Sequence, residues 1–156
     1  MNVALRPLAP IGRILLALIF VLAGFGKIST TAATASYMAS HGIPLANVLV
    51  YGVIVIELGG GLMLMAGLYA RWVAGVLFLY TLALAVIFHP YWAMPAAEAP
   101  LQHAMFFEHL SMMGGMLFVV ALGAGPLSVD AFRRRDAAAS EGELAHAGHQ
   151  PFGRSR

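Results

Sequence analysis

The sequence predicts an all-α membrane protein, a four-helix bundle with four transmembrane helices. Three observations predict it. Apolar residues make up 60% of the 156 residues and charged residues 10%, against about 45–50% and about 25% in soluble domains. Mean hydropathy is +0.81. The apolar residues are gathered into four long runs, each near the roughly 20 residues that cross about 30 Å of hydrocarbon. Backbone groups in lipid must be satisfied within their own segment, so runs of this kind are helices.

A short segment, residues 1–10, carries Arg6 and precedes the first span, residues 11–28. This span could be read as a secretory signal, but Lys27 separates its apolar core from the small residues Ala33-Thr34-Ala35, so the sequence favours retention. In the connection 29–43, Thr30 or Thr31 can cap a short helix that runs to Ser40, stops at Gly42 and lies on the membrane surface. The second span, 44–68, opens at Pro44, a residue suited to a first helical turn. Trp72 opens the third span, 72–89, and Tyr91 and Trp92 follow it. Both tryptophans thus fall where interfacial aromatic belts sit. The fourth span covers 103–123. The bundle domain is then 11–130. The tail 131–156, rich in Ala, Gly, Ser, Glu and His from Asp136, is too polar to bury a core and reads as disordered.

Lys and Arg set the orientation. Arg6, Arg13, Arg71, Arg133, Arg134, Arg135, Arg154 and Arg156 fall on one side of a four-span chain, and only Lys27 on the other. The positive-inside rule puts both termini in the cytoplasm and makes the chain a multi-pass protein of the bacterial inner membrane, in contact with lipid. The pI near 9.3 does not imply nucleic acid, because net charge is only +2 and the basic residues cluster at span ends. With no cysteine, the chain has no disulfide, thiolate metal site, iron–sulfur cluster or cysteine nucleophile.

Ionisable side chains inside spans cost about 2.5–3.5 kcal/mol on insertion scales and are rarely idle. Here they are Lys27, Glu57, His89, Glu108 and His109. They come from four spans and lie at or beyond the midplane toward one membrane face, as a single polar pocket in a bundle requires. Lys27 and His89 can also serve as plain interfacial anchors. Glu108 and His109 stand about 100° apart on a helix, so one faces the bundle better than the other; Glu108 is the stronger interior candidate. Glu57 reaches neither interface and is the hardest to explain without an interior role. A structural pair of Lys27 with Glu57 or Glu108 would account for much of this. Gly24, Gly26, Gly59, Gly60, Gly61, Gly114 and Gly115 flank these groups, either as close helix contacts or as room for a flat ligand. Arg13 and Arg71 can snorkel to headgroups. Met105, Met112, Met113 and Met116 read as flexible core, and His146 and His149 as a solvated tail.

Several motifs in order resemble DoxX-type membrane proteins. They are Gly24-Phe25-Gly26-Lys27-Ile28, Gly42-Ile43-Pro44, Glu57 with its glycines, the stretch 62–71 ending in Tyr69-Ala70-Arg71, and Gly123-Ala124-Gly125-Pro126-Leu127-Ser128-Val129-Asp130. The closing motif departs from the family's usual Gly-Pro-Gly and Ser-Leu-Asp. The resemblance implies a four-helix membrane bundle and an association with quinone-linked redox chemistry.

Three functional readings follow. The first is a quinone-interacting subunit of a membrane oxidoreductase complex. Glu57 and Glu108 would exchange protons as the catalytic pair. Lys27, Glu57, His89, Glu108 and His109 would hold the cofactor. No residue set suggests a metal site, and a redox partner protein would supply electrons. The second is a non-enzymatic scaffold or anchor for a partner protein or a second copy of the chain. The third is a small proton-coupled transporter, favoured if Gly59-Gly60-Gly61 breaks span two.

Overall fold

The computed structural model describes residues 7–148, with side chains to residue 141. Arg6, Arg154, Arg156 and His149, and the side chain of His146, lie outside the described residues. Helix α1 is Leu8–Ser29, α2 Thr31–Ser40, α3 Ala46–Ala66, α4 Ala70–Phe88, α5 Ala99–Leu122 and α6 Val129–Gly148. A 3₁₀ turn, Tyr91–Ala93, follows α4. Helices α1, α3, α4 and α5 are long and apolar enough to cross a membrane.

The bundle is inverted relative to a soluble one. Leu15, Leu22, Phe25, Val55, Leu79 and Phe118 are exposed, and only a minority of each span is buried within the protein. Helix α1 packs along α3, and α4 packs along α5. The core between them is built from Ala17, Phe20, Leu64, Ala74, Leu77 and Met116. The start of α1 and the end of α5 share one end of the bundle with the α3–α4 turn; Lys27 marks the other.

Glycines set the closest approach. A Cβ on Gly24 would stand 2.6 Å from the backbone nitrogen of Leu58, and one on Gly61 would stand 3.0 Å from that of Val21. The two glycines are therefore contact points of α1 and α3, as small residues are in membrane helix pairs. Gly26 and Gly59 have no such neighbour. Gly59-Gly60-Gly61 does not break α3. The helix widens instead into a π turn over Val55–Gly59 and resumes at Gly60. Such one-turn widenings re-aim the side chains around them.

The end near Arg13 is a built lock. Arg13 does not snorkel: its residue is buried, and its guanidinium donates to three carbonyls. It meets Met65 O at 3.2 Å, Leu127 O at 3.0 Å and Ala124 O. A guanidinium carries enough donors to close three chain ends at once. Gly67 lies beneath it at φ +71°, where a Cβ would meet Ser128 and Arg13. The Asp130 carboxylate accepts from the N–H groups of Tyr69 (2.8 Å) and Ala70 (2.9 Å), capping α4. The motif from Gly123 to Asp130 is thus the fastener that ties α5 and α6 to the α3–α4 turn.

Two expectations need correcting. Residues 136–148 are helix and not coil: α6 continues to Gly148, although its side chains from Phe132 to Glu141 are exposed, and the rest of the tail lies outside the described residues. Alanine, arginine and glutamate favour helix without any packing. The helix Thr31–Ser40 forms where expected, Gly42 ends it at φ +78°, and one face of it is docked on the bundle. Its Ala35 and Met38 pack on Ala46, Val50 and Phe88. Thr30 and Thr31 do not cap it; their hydroxyls donate back to the carbonyls of Gly26 and Lys27.

Candidate functional site

Glu57 sits on the π turn of α3, almost fully buried. Lys27 lies in the last turn of α1, three residues beyond the Gly24 contact, so the close approach of the helices brings the two side chains together. Lys27 Nζ stands 2.8 Å from Oε2 and 3.0 Å from Oε1 of Glu57. From α4, the Tyr80 hydroxyl donates to Oε1 at 2.6 Å. The carboxylate is thus held by a cation and a phenol, short bonds of the charge-assisted kind. Among the described residues this is the only ion pair.

Beside this triad lies a cavity of about 480 Å³. Apolar side chains such as Ile56, Leu84 and Ile87 form most of its wall, and Tyr37 and Met38 of α2 close one side. Tyr37 is fixed by stacking on Phe88, with ring centroids 5.4 Å apart. His89 and His109 also line the cavity, their rings 4.8 Å apart. His109 Nδ1 lies 2.7 Å from the carbonyl oxygen of Met105. That oxygen only accepts, so Nδ1 carries the proton and, in the neutral ring, Nε2 is left as an acceptor. His89 Nδ1 lies 2.8 Å from the side-chain amide of Gln102, a partner that serves either tautomer. The cavity is thus lined by the Lys27 ammonium and by two imidazoles, that of His109 with Nε2 left as an acceptor in the neutral ring.

Four of the five expected residues converge here: Lys27, Glu57, His89 and His109. Glu108 does not. It is exposed on the outer face of α5, because His109, one position on, takes the inward face. The pairing of Lys27 is with Glu57, not Glu108. Sequence reasoning missed Tyr80, Gln102 and the α2 wall. A tyrosine in the middle of an aliphatic span is itself a signal, since its hydroxyl needs a partner in lipid. The docking of α2 had none. Among the described residues no group of three or more His, Asp or Glu stands close enough to hold a metal ion.

Fold and site together define a small multi-pass membrane protein whose spans enclose a polar triad at an apolar cavity. The chain belongs to the DoxX family, whose model matches residues 8–90. That segment includes Lys27, Glu57, Tyr80 and His89. The chain is 34% identical to the inner membrane protein YphA of Escherichia coli (strain K12) over 128 residues, 81% of this chain and 91% of that one. It is 34% identical to the inner membrane protein YqjF of the same organism over 120 residues, 77% and 87% of the two chains. No solved structure matches it. Like these relatives, it is a protein of the bacterial inner membrane, and its spans are in contact with lipid.

Proposed function

We propose that this protein is the quinone-interacting subunit of a membrane oxidoreductase complex, with the ring of the quinone held in the cavity between Lys27 and the two histidines. The observation that carries the reading is the triad of Lys27, Glu57 and Tyr80 opening onto about 480 Å³ of apolar space. Ligand sites of small amphipathic molecules have this composition: mostly apolar walls and a few convergent polar groups. A bound quinone would supply two-electron, two-proton redox chemistry. Lys27 would donate a hydrogen bond to a ring oxygen and favour negative charge there. Glu57 would accept or return a proton, with Tyr80 holding its carboxylate in place. The Nε2 atom of His109 would accept a hydrogen bond from a ring hydroxyl. The triad then lies toward the outer face of the membrane, with both chain termini in the cytoplasm, as the arginine distribution favours.

Glu108 has no part in this site. Its outward position on α5, the span least buried within the protein, supports a contact with a partner protein there. That reading suits a subunit, and it serves equally for a scaffold. The test is the quinone content of protein purified in mild detergent. Wild type is expected to retain quinone in near-stoichiometric amount, and Glu57→Gln to lose most of it. Absence of quinone from both, with the fold intact, would overturn the redox reading and direct the search to a partner on the Glu108 face.

A further inference from the structure

A second groove lies on the outside of the bundle, at the opposite end from the triad. It runs between α3 and α4, from Tyr69 and Trp72 at the bundle's edge to Ile56 near the middle of the span. Met63 and Val76 form its walls. Its volume is about 290 Å³, equal to roughly ten water molecules of liquid. A stretch of acyl chain with a similar number of methylenes fits that space.

The charges at its mouth select the headgroup. The guanidinium of Arg133 stands 5.3 Å from the centre of the Tyr69 ring, one rim of the groove. Arg71, next to Trp72 in the chain, is exposed at the same end of the bundle, with its guanidinium against Gly123 at the end of α5. Neither arginine pairs with a carboxylate among the described residues. The nearby acid, Asp130, is held by the N–H groups of Tyr69 and Ala70 and not by either arginine. Trp72 is 80% exposed and Tyr69 54%. Such rings settle at the membrane interface, which puts the two guanidinium groups at headgroup depth. The site thus presents an apolar slot in the hydrocarbon, aromatic rings at the interface and unpaired cations above them.

We infer that this groove is a binding site for one anionic phospholipid, with an acyl chain between α3 and α4, the phosphate on Arg133, and Arg71 adding positive charge at the same end of the bundle. Apart from Ile56, its lining is distinct from that of the triad's cavity, and the inference does not depend on what that cavity holds. Arginine suits a phosphate because its planar fork donates two parallel bonds.

Trp72 reports the occupant. With Trp92→Phe as background, the protein is placed in vesicles of phosphatidylcholine containing increasing fractions of phosphatidylglycerol brominated on its acyl chains. The comparison uses brominated phosphatidylcholine. Quenching by the anionic lipid is expected to saturate at a mole fraction about tenfold lower than quenching by the neutral one. In the double variant Arg71→Gln, Arg133→Gln the two lipids should quench alike. Val76→Phe, which fills the slot and keeps both charges, should also abolish early saturation. Equal quenching of wild type by both lipids would reduce the groove to ordinary lipid contact and overturn the inference. So would a preference that survives the double arginine substitution.

Discussion

Gly24 and Gly26 lie two residues apart on α1 but in different surroundings, and substituting each by alanine separates packing from propensity. A Cβ at Gly24 would meet the Leu58 backbone nitrogen at 2.6 Å and its Cα at 3.0 Å. Ordinary contact begins near 3.4 Å, so α1 and α3 must part by about 0.8 Å. The obstacle is backbone within a helix and cannot swing aside. Overpacking of this kind costs about 1–3 kcal/mol, and the helix propensity gained by losing a glycine returns about 0.5–1 kcal/mol. Gly24→Ala is therefore expected to destabilise by about 1–2 kcal/mol. A Cβ at Gly26 meets nothing within 4 Å, so Gly26→Ala should be neutral or stabilising. The same displacement would stretch the 2.8 Å bond of Lys27 to Glu57, three residues along α1. Quinone retention should fall in Gly24→Ala and not in Gly26→Ala. Unfolding in mixed micelles of mild detergent and dodecyl sulfate measures the stabilities. Equal stabilities would refute the close approach of α1 and α3 at this point.

Other substitutions test the remaining parts of the account. Lys27→Met leaves Glu57 buried with only Tyr80 and should cost about 3 kcal/mol in the same unfolding assay, much of it recovered in Lys27→Met with Glu57→Gln. Arg13→Ala strands three carbonyls and should lower stability by about 3 kcal/mol or prevent assembly, and Arg13→Lys should not restore it because an ammonium cannot span all three. Glu108→Gln should leave the isolated protein within about 0.5 kcal/mol of wild type. Its effect is expected instead on co-purification of a partner protein.

The spans were legible because hydropathy reports where a chain can be satisfied in lipid. The third, 72–89 by sequence, is Ala70–Phe88, and the second, 44–68, is Ala46–Ala66. Pro44 stands just outside its helix, since Leu45 takes the cap position at φ 51°. The fourth begins a turn early, at Ala99, where polar Gln102 and His103 had masked the continuity. Helix rotation was not legible, because hydropathy carries no azimuth when both faces are apolar. That is why Glu108 and His109 exchange their expected roles. A pair involving Lys27 was legible, because a charge is costly alone in lipid, but the choice of Glu57 over Glu108 as its partner was not. The π turn at Glu57, the fold of α2 over the cavity and the carbonyl cluster around Arg13 depend on contacts between distant segments, and no local pattern encodes them.

A quinone ring in the cavity beside Lys27, Glu57 and Tyr80, as proposed, would be within reach of a photoreactive analogue. Photolabelling of the protein in native membranes with an azidoquinone, followed by mass spectrometry of the peptides, tests it most directly. The account predicts label on cavity-lining positions such as Tyr37, Leu84 and Ile87, displaced by excess unlabelled quinone and reduced in Tyr80→Phe. Label confined to outward positions such as Phe118 and Leu122, or label that excess quinone does not displace, would contradict it.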